Sequence, residues 1–290
     1  MEYICNLCPR KCGALRTNKD NANGVCKMPY GIYVSRAALH MWEEPSISGE
    51  NGSGTIFFSG CQLKCCFCQN YKISRENFGK EISVSRLADI FKELEEKGAH
   101  NINLVSATPY IPFIIEALKI YKPKIPIVFN SGGYESEETI DILKGFVDIF
   151  LFDFKFYSAE RARKYSKAED YPAVAKKAIL KAYTTSPTFD EKGIMQKGII
   201  VRHLLLPGGT SDAIDVMSWI KEQNIDILFS LMSQYTVIGN LPFKELNRRV
   251  TKREYEKVLD VMLNLNLDGY IQELDCGDKK YIPEFDLSGI

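Results

Sequence analysis

The densest group of reactive side chains in the sequence is a run of cysteines within residues 61–68. Cys61, Cys65 and Cys68 are separated by three and then two residues, and Phe67 precedes the last of them. A loop with this spacing can direct three thiolates at one iron–sulfur cluster. A cubane cluster contains four irons, so three thiolates leave one iron open. An open iron can bind and activate a ligand, whereas a fully ligated cluster only carries electrons or stiffens the fold.

Two other interpretations of these cysteines fit the chain less well. Disulfides suit small secreted domains, whereas this sequence starts with MEYIC and lacks the basic and apolar regions of a secretory signal. Zinc normally takes four ligands in paired spacings, and only Cys66 could add a fourth thiolate here. The spacing therefore favours an iron–sulfur cluster over zinc or a disulfide.

A second group of cysteines precedes the first, and we call its members the head cysteines: Cys5, Cys8, Cys12 and Cys26. Four thiolates can close a tetrahedral zinc site or hold a fully ligated iron–sulfur cluster, and the spacing does not decide between them. Paired cysteines in a loop-rich segment are frequent in zinc sites, which favours zinc with a structural role. An auxiliary cluster would instead indicate electron transfer or substrate binding.

The composition is that of an ordinary globular chain. Its 290 residues are 45% hydrophobic and 26% charged, with 37 basic and 37 acidic side chains and a pI near 6.8. Balanced charge gives no support for nucleic-acid binding, and no apolar run approaches the roughly 20 residues that span a bilayer. Nine cysteines in such a chain predict metal sites and a cytoplasmic location. Cys66 and Cys276 have no partners in the sequence, and we expect both to be buried small residues.

The chain divides into a cysteine-rich head, residues 1–50, and a body of alternating strands and helices, residues 51–290. The predicted strands are 55–59, 101–105, 125–129, 147–152, 198–206 and 225–231, and the predicted helices are 83–97, 112–121, 135–144, 171–183, 212–222 and 252–265. Apolar strands that alternate with helices predict a parallel α/β sheet. A complete eightfold barrel needs about 250 residues, so a partial (β/α)6 barrel fits better, with a doubly wound sheet as the alternative.

Polar side chains follow the ends of these strands, where parallel α/β folds gather their functional groups. The candidates for binding a polar or charged ligand there are Ser106, Thr108, Asn130, Gly132, Asp153, Lys155, Arg202 and Gln234. Asp153 and Lys155 are two residues apart on an extended segment, so both can face the same cavity. Arg202 and His203 are neighbours, so only one can face it. A guanidinium suits planar anions, which favours Arg202 and leaves His203 a structural role.

The residues of the cysteine run resemble a known family signature. Three cysteines with an aromatic before the third are typical of radical S-adenosylmethionine (SAM) enzymes. The run from Gly54 to Asn70 resembles glycyl-radical-enzyme activases, and in particular PflX-type homologues of pyruvate formate-lyase activating enzyme. Further similar segments, which together cover almost the whole chain, are residues 5–12, 47–49, 130–135, 153–155, 201–208, 230–235 and 246–249.

The resemblance implies a partial (β/α)6 barrel, a 4Fe–4S cluster ligated by Cys61, Cys65 and Cys68, and SAM as co-substrate. SAM would bind the open iron through its amino and carboxylate groups. One electron from the reduced cluster would then cleave it to methionine and a 5′-deoxyadenosyl radical, which takes hydrogen from a substrate. The cofactors carry this chemistry, and the protein orients them and excludes water.

The resemblance also implies roles for individual residues. Phe67 matches the aromatic that packs near the adenine, with plain core packing as the alternative. Asp153 and Lys155 match an acid that contacts the SAM ribose and a lysine that contacts its carboxylate, with a surface ion pair as the alternative. Many family members grip the SAM amino group with a Gly-Gly-Glu segment after the second strand. Here Ser106 and Thr108 stand at that position without an acid, and their hydroxyls are the remaining candidates.

Four further positions are candidate SAM ligands on less specific sequence evidence. Asn130 and Gly132 could offer an amide and a close backbone approach, although the same residues also suit a simple turn after the strand. Arg202 is a candidate for a carboxylate of SAM or of the substrate. Gln234, at the end of the sixth strand, is a candidate for either ligand.

These residues predict an oxidoreductase that uses SAM and a reduced iron–sulfur cluster under anaerobic conditions. Its electron donor would be a protein such as flavodoxin or ferredoxin, and no nucleic-acid or membrane partner is expected. Two substrates remain open: a glycine Cα–H in a partner glycyl-radical enzyme, or a peptide side chain or small molecule. A non-catalytic iron–sulfur or zinc protein is the alternative from another class. The polar strand ends argue against it, because an electron carrier has no need of them.

Overall fold

The computed structural model describes residues 3–17, 23–274 and 283–290, so Cys276 lies outside the described residues. The strands are β1 (Tyr3–Cys5), β2 (Ala14–Arg16), β3 (Ile32–His40), β4 (Ser53–Phe58), β5 (Lys80–Ile82), β6 (Ile102–Val105), β7 (Ile127–Ser131), β8 (Ile149–Asp153), β9 (Thr188–Phe189), β10 (Met195–Leu204), β11 (Leu228–Met232) and β12 (Gly269–Ile271). The helices are α1 (Pro45–Ser48), α2 (Tyr71–Ser74), α3 (Val84–Glu96), α4 (Ile111–Ile120), α5 (Glu137–Leu143), α6 (Ala159–Ser166), α7 (Tyr171–Ala182), α8 (Thr210–Glu222) and α9 (Lys252–Asn264).

The main sheet has the order β12-β11-β10-β8-β7-β6-β4-β3-β5, and β9 pairs with β10. From β4 to β12 these neighbours run parallel, whereas β3 is antiparallel to both β4 and β5. Each new parallel strand is added on the same side of the previous one. A doubly wound sheet reverses that direction near its middle, so the described strands exclude it. The predicted α/β class with a mostly parallel sheet is confirmed.

The sheet curls until loops from distant strands meet. The ring of Phe67, in the segment after β4, lies 6.4 Å from the ring of Tyr235, which follows β11. Gln69 Nε2 donates a hydrogen bond of 3.3 Å to the carbonyl of Gln234. Four parallel strands separate β4 from β11 in the sheet order. Contacts between their loops therefore require a curved wall, as in a partial barrel.

Helices cover the outer face of this wall. In α3, the buried residues Leu87, Phe91 and Leu94 lie on the apolar side of an amphipathic helix. The hydroxyl of Ser83 caps its first turn by accepting a hydrogen bond from the Arg86 amide. Gly98 follows the helix with a φ of +81°, a conformation that ends helices readily. Both the cap and the stop agree with the sequence prediction.

A separate apolar cluster fills the inside of the barrel near the amino ends of its strands. Its buried members are Ile47, Val128, Ile149, Leu151, Met195 and Ile200. Ile47 is fully buried and belongs to α1, a single helical turn that begins with Pro45 between β3 and β4. The chain therefore inserts a plug into the barrel before it forms the parallel strands. Above this plug, the carboxyl ends of the strands surround a polar space.

The head adds a small antiparallel pair, β1 with β2, beside the barrel. The carbonyl of Leu7 accepts a 2.5 Å hydrogen bond from the hydroxyl of Thr139 on α5, which holds the head against the body. Within the described ranges, no helix combines the length and the apolar character that crossing a bilayer demands.

Candidate active site around the cysteine loop

The segment that we call the cysteine loop, residues 61–68, follows β4 at the carboxyl edge of the sheet. Gly60 precedes it with a φ of +80°, and a Cβ there would lie 2.3 Å from Met28 Cγ. Within the loop, Lys64 also has a positive φ, of +57°. The Lys64 ammonium donates hydrogen bonds to the carbonyls of Ser74, at 2.7 Å, and Cys26, at 3.3 Å. These contacts fix the loop in a compact conformation.

Each of the three predicted cluster ligands, Cys61, Cys65 and Cys68, has a hydrogen-bonding neighbour at its thiol. A backbone amide within the loop donates to Cys61 Sγ at 3.4 Å, and the Ser74 hydroxyl donates to Cys68 Sγ at 3.3 Å. Cys65 Sγ lies 2.9 Å from the hydroxyl of Ser166. Donors at this range stabilise sulfur in its anionic form, which is the form that binds metals.

The protonation of the candidate thiols suits binding of one shared, positively charged metal centre. Burial raises the pKa of Cys65 to about 12, and the ammonium of Lys155 partly opposes that effect. Burial also raises the pKa of Cys61, and the nearby Cys68 sulfur adds to the increase. Without a metal these thiols therefore stay protonated at neutral pH. A metal cluster would replace the protons and offset the repulsion among the three sulfurs.

The three candidate thiols, those of Cys61, Cys65 and Cys68, line one cavity. Among the described residues, no three His, Cys, Asp or Glu side chains converge as one bound metal ion requires. A 4Fe–4S cluster binds each of its thiolates to a different iron, so its ligands need not converge on one point. The residues present thus fit the cluster that the sequence predicts.

The cysteine loop forms one wall of a cavity of about 220 Å³ at the carboxyl ends of the strands. The predicted site residues that line this cavity are Cys61, Cys65, Phe67, Cys68, Ser106, Asn130, Gly132, Asp153, Lys155, Arg202 and Gln234. Phe67 is 7% exposed, and the rings of Phe156 and Tyr235 pack edge-on against it at 6.0 and 6.4 Å. Phe67 therefore contributes both to the core and to the cavity wall.

Arg202, on β10, is the centre of a buried charge network beside the loop. Its Nε donates to Asp153 Oδ1 at 2.8 Å, its Nη1 to Glu43 Oε2 at 2.9 Å and its Nη2 to Asn130 Oδ1 at 2.8 Å. Lys155 Nζ donates to Asp153 Oδ2 at 2.5 Å. The network aligns a guanidinium and an ammonium along one side of the cavity.

The carboxylates of this network respond differently to burial. For Asp153, burial acts to raise the pKa, but Arg202 and Lys155 outweigh it and hold the pKa below its usual value. For Glu43, burial dominates and raises the pKa despite the adjacent guanidinium. Glu44 adds a third carboxylate, 3.7 Å from Arg202 Nη1. Of the three carboxyl groups around Arg202, Asp153 is the one whose pKa the basic groups hold low.

Glu43 is the residue of this network that sequence reasoning missed. It belongs to the segment between β3 and α1, which the sequence analysis assigned to the head. Its Oε1 accepts hydrogen bonds from Asn103, at 3.3 Å on β6, and from Asn130, at 3.1 Å on β7. Adjacent glutamates before a proline usually lie on a solvated surface, so the sequence offered no signal for this burial.

The turn after β7 brings two glycines against the cysteine loop and β8. A Cβ on Gly132 would lie 2.6 Å from Leu63 Cδ1, inside the cysteine loop. Gly133 has a φ of +70°, and its Cβ would lie 2.4 Å from the carbonyl oxygen of Asp153. Gly133 therefore requires glycine, because the backbone approaches too closely for a side chain, whereas a side chain at residue 132 would force Leu63 to move.

The structure places Thr108 and His203 away from the cavity. Thr108 is buried behind the loop, where its hydroxyl donates to Glu135 Oε1 at 2.9 Å, beside a 3.0 Å donation from Gln62 Nε2. Burial raises the pKa of Glu135 to about 8. His203 is buried on the other side of β10, with Nδ1 2.7 Å from the carbonyl of Phe154. Sequence reasoning did not single out Glu135, since an acid after a strand usually starts a helix.

The head cysteines gather in one region beside the cysteine loop. Cys5 and Cys26 are buried, while Cys12 is exposed. Cys12 and Cys26 both lie beside Gly24: a Cβ on that glycine would be 3.4 Å from Cys12 Sγ and 3.8 Å from Cys26 Sγ. The buried guanidinium of Arg16 donates to Cys26 Sγ at 3.1 Å. A positive group at this distance favours the thiolate form that metals bind.

Comparison with known proteins gives a family for this arrangement. The sequence model of the radical SAM superfamily matches residues 55–232, which include the cysteine loop and the strands from β6 to β11. The chain belongs to the radical SAM superfamily. Members of the superfamily are enzymes, and membership implies a 4Fe–4S cluster and SAM.

A relative extends the similarity beyond that core. Uncharacterized protein MJ0674 of Methanocaldococcus jannaschii is 30% identical over 278 residues, which cover 91% of this chain and 75% of the relative. The match therefore extends beyond residues 55–232, the radical SAM core.

Solved structures share the fold at low sequence identity. HydG, described as a maturase of the [FeFe]-hydrogenase, matches with a TM-score of 0.51 and 15% identity over 72% of this chain and 49% of HydG. Streptococcus suis SuiB bound to S-adenosylmethionine matches with a TM-score of 0.48 and 14% identity over 73% of this chain and 48% of SuiB. The chain thus spans about half the length of these structures. The match to HydG supports the fold of this radical SAM protein, and it carries no information about its activity or substrate.

Proposed function

We propose that this radical SAM protein binds a 4Fe–4S cluster through Cys61, Cys65 and Cys68 and uses it to cleave SAM reductively. The observation that carries the proposal is one cavity lined both by these thiols and by the Asp153–Lys155–Arg202 charge network. When bound, the cluster supplies one electron to SAM, and the resulting 5′-deoxyadenosyl group takes a hydrogen atom from the substrate.

The charged side chains of the cavity would bind and orient SAM. Lys155 and Arg202 would hold carboxylate groups of SAM or of the substrate, because both present buried donors at the cavity wall. Asp153 would accept hydrogen bonds from the ribose, and its lowered pKa keeps it ionised for that role. The ionised Asp153 would offset part of the positive charge that SAM carries on its sulfonium.

Glu43 would act as a positioning residue in the same site. Its carboxylate holds Arg202 through Nη1 and Asn130 through Nδ2, so it fixes the direction of the guanidinium and of the amide. The second predicted strand, β6, is not followed by the acid that many family members carry there. Glu43, from the segment before the barrel, would supply that acidic group instead. Glu43 also contacts that second strand, through Asn103.

A turnover assay tests the proposal directly. The protein is reconstituted anaerobically with iron and sulfide, reduced, and incubated with SAM, and 5′-deoxyadenosine is quantified. We expect one methionine for each 5′-deoxyadenosine, and a change in the EPR spectrum of the reduced cluster when SAM is added. The matched control is Cys66→Ala, which leaves the three cluster ligands intact. An unchanged spectrum together with no 5′-deoxyadenosine would refute the proposal.

We propose a polypeptide as the hydrogen donor, with a glycine Cα–H of a partner glycyl-radical enzyme as the first candidate. The resemblance to activases supports it, and so does Trp42, which lines the cavity and is 55% exposed. A peptide side chain or a small molecule is the competing substrate. EPR separates the two, since an activase leaves a stable protein radical, whereas a modifying enzyme gives a closed-shell product with a changed mass.

The head, residues 1–50, would hold a second metal through the head cysteines, either zinc or an iron–sulfur cluster. The proximity of Cys12 and Cys26 to Gly24, and the hydrogen bond from the buried Arg16 guanidinium to Cys26 Sγ, support a metal there. No three of the described thiols converge as one ion requires, which favours a cluster over zinc. Metal analysis before iron is added distinguishes the two, because zinc would already be present. Flavodoxin or ferredoxin would supply electrons to the barrel cluster, and replacement of dithionite by either protein in the turnover assay tests that role.

A further inference from the structure

Arg10 connects the head cysteines to the cysteine loop. It lies between Cys8 and Cys12, in a turn where the Lys11 amide donates to the Cys8 carbonyl at 3.0 Å. Its guanidinium leaves the head and reaches the body. Nε donates to the carbonyl of Gln62 at 3.0 Å, and the guanidinium carbon lies 5.2 Å from the centre of the Tyr134 ring. One side chain of the head thus contacts the backbone of the cysteine loop.

The same guanidinium holds the helix end that contacts Cys65. Nη1 donates to the carbonyl of Lys167 at 2.5 Å, and Nη2 donates to the carbonyl of Ser166 at 3.2 Å. Ser166 ends α6 and Lys167 caps it with a left-handed φ of +53°, so their carbonyls lack helical partners. The hydroxyl of Ser166 lies 2.9 Å from Cys65 Sγ. Arg10 therefore contacts both the loop and the residue beside one of its thiols.

Lys64 makes a second connection, in the opposite direction. Its ammonium leaves the cysteine loop and donates to the carbonyl of Cys26, a head cysteine, and to the carbonyl of Ser74. The hydroxyl of Ser74 in turn donates to Cys68 Sγ. The two connections end beside different thiols of the loop, Arg10 near Cys65 and Lys64 near Cys68.

We propose that Arg10 and Lys64 couple metal binding at the head cysteines to the conformation of the cysteine loop. This inference rests on the proposed head metal. Thiolates that share a metal would fix the turn containing Arg10 and the backbone of Cys26, because ligation removes the conformational freedom of both segments. Arg10 and Lys64 then hold the loop and its thiols in place. Both are positioning residues, and neither contacts the substrate.

The test measures amide hydrogen exchange in residues 61–68 of the reconstituted protein, together with the EPR spectrum of its reduced cluster without SAM. Arg10→Ala should speed exchange in these residues about tenfold, the factor expected for losing a hydrogen bond to a charged donor. It should also shift the EPR g-values, because the environment of Cys65 changes. Arg10→Lys should act in the same direction, since one ammonium cannot reach three carbonyls. Lys64→Met should speed exchange in residues 64–68.

Two further variants make the test specific. Lys11→Ala is the matched control, because Lys11 is an exposed residue of the same turn, and exchange should stay unchanged. Cys12→Ala removes an exposed head cysteine, and loss of the head metal should speed exchange in residues 61–68 as Arg10→Ala does. The double variant Arg10→Ala/Cys12→Ala should change exchange no more than the larger single effect, because both act through one connection.

The outcomes separate this inference from the function on which it rests. If head metal is present and the two variants act additively, or Arg10→Ala leaves exchange unchanged, the coupling is refuted while the head metal stands. If analysis of the wild-type protein finds no metal besides the barrel cluster, the proposed head metal and the coupling both fail. The assignment of the cysteine loop and of SAM cleavage would survive either result, since it depends on 5′-deoxyadenosine formation.

Discussion

Arg202 is the residue on which the electrostatics of the cavity depend. Its guanidinium lies within 3.7 Å of three buried or nearly buried carboxylates, those of Glu43, Glu44 and Asp153. Buried charges are costly unless they are paired, and replacing such a network with apolar residues often stabilises a protein. A network of this kind at the carboxyl ends of parallel strands therefore indicates ligand binding rather than stability.

Arg202→Met should destabilise the protein by about 3–5 kcal/mol at pH 8, because it removes the guanidinium that pairs with Glu43, Glu44 and Asp153. The pKa values of these carboxyl groups should rise in the variant, so the folded state takes up protons as the pH falls. The loss of stability should therefore shrink between pH 8 and pH 5. Urea unfolding of the metal-free protein at both pH values measures it. Arg163→Met, at an exposed arginine of α6, is the control. Equal losses at both pH values would contradict the explanation.

Cys65→Ala should remove the barrel cluster and leave the head metal in place. Cys65 is a buried member of the cysteine loop, and no head cysteine depends on its sulfur for a hydrogen bond in the described contacts. Iron, sulfide and zinc analysis of the reconstituted variant measures the two sites separately. Loss of both metals together would show that the head cysteines cannot hold their metal without the barrel cluster, and it would contradict this prediction.

At the scale of residues, sequence reasoning located groups that share a strand and missed groups that converge from elsewhere. Asp153 and Lys155 both line the cavity, as alternation along an extended segment predicts. Glu43 reaches the same space from a segment before the barrel, and no spacing in the sequence encodes that approach. Thr108 turns away because its hydroxyl satisfies the buried carboxyl group of Glu135.

At the scale of elements, the turn after β7 and the cysteine loop constrain each other. Gly132→Ala should destabilise the protein by about 1–3 kcal/mol, because the new methyl group would overlap Leu63. Leu63→Ala in the same chain should restore much of that stability, since it removes the colliding atoms. Thermal unfolding of the single and double variants provides the measurement. A double variant no more stable than Gly132→Ala would contradict direct overlap.

Gly133 gives the contrasting case for the same turn. Its Cβ would meet the backbone carbonyl of Asp153, and its φ of +70° disfavours every residue with a side chain. Gly133→Ala should therefore stay destabilised when Leu63→Ala is added.

Periodicity predicted most of the parallel strands and six of the helices, and it missed β3, α6 and the shortest elements. The six predicted strands correspond to β4, β6, β7, β8, β10 and β11. β3 was missed because the whole segment before residue 51 reads as a loop-rich head, although β3 pairs with β4 over much of its length. α1 has four residues, too few to show a helical period.

At the scale of the whole molecule, the fold is a curved sheet that encloses a plug, the apolar cluster around Ile47. The alternation of strands and helices predicts the parallel sheet, and the strand order of the structure then decides between a partial barrel and a doubly wound sheet. The plug does not follow from the sequence. Its buried side chain, Ile47, belongs to a segment that looks like part of the head, and only the folded barrel provides its contacts.

Ile47→Ala should lower the free energy of unfolding by about 2–5 kcal/mol, because Ile47 is fully buried inside the barrel. Ile120→Ala is the control, as that side chain is 62% exposed and should cost less than about 0.5 kcal/mol. Urea unfolding of both variants gives the comparison. A loss below 1 kcal/mol for Ile47→Ala would mean that the barrel does not depend on its plug.

The position of the plug in the chain also affects how the protein is made. Ile47 leaves the ribosome before β4 and every parallel strand that will enclose it, and β10, which supplies Ile200 to its surroundings, emerges much later. In a nascent chain, this apolar turn therefore stays exposed to water until most of the strands that enclose it have been synthesised. Stalled or truncated chains would expose both the plug and an empty interior, and cells would recognise them as substrates for chaperones and proteases.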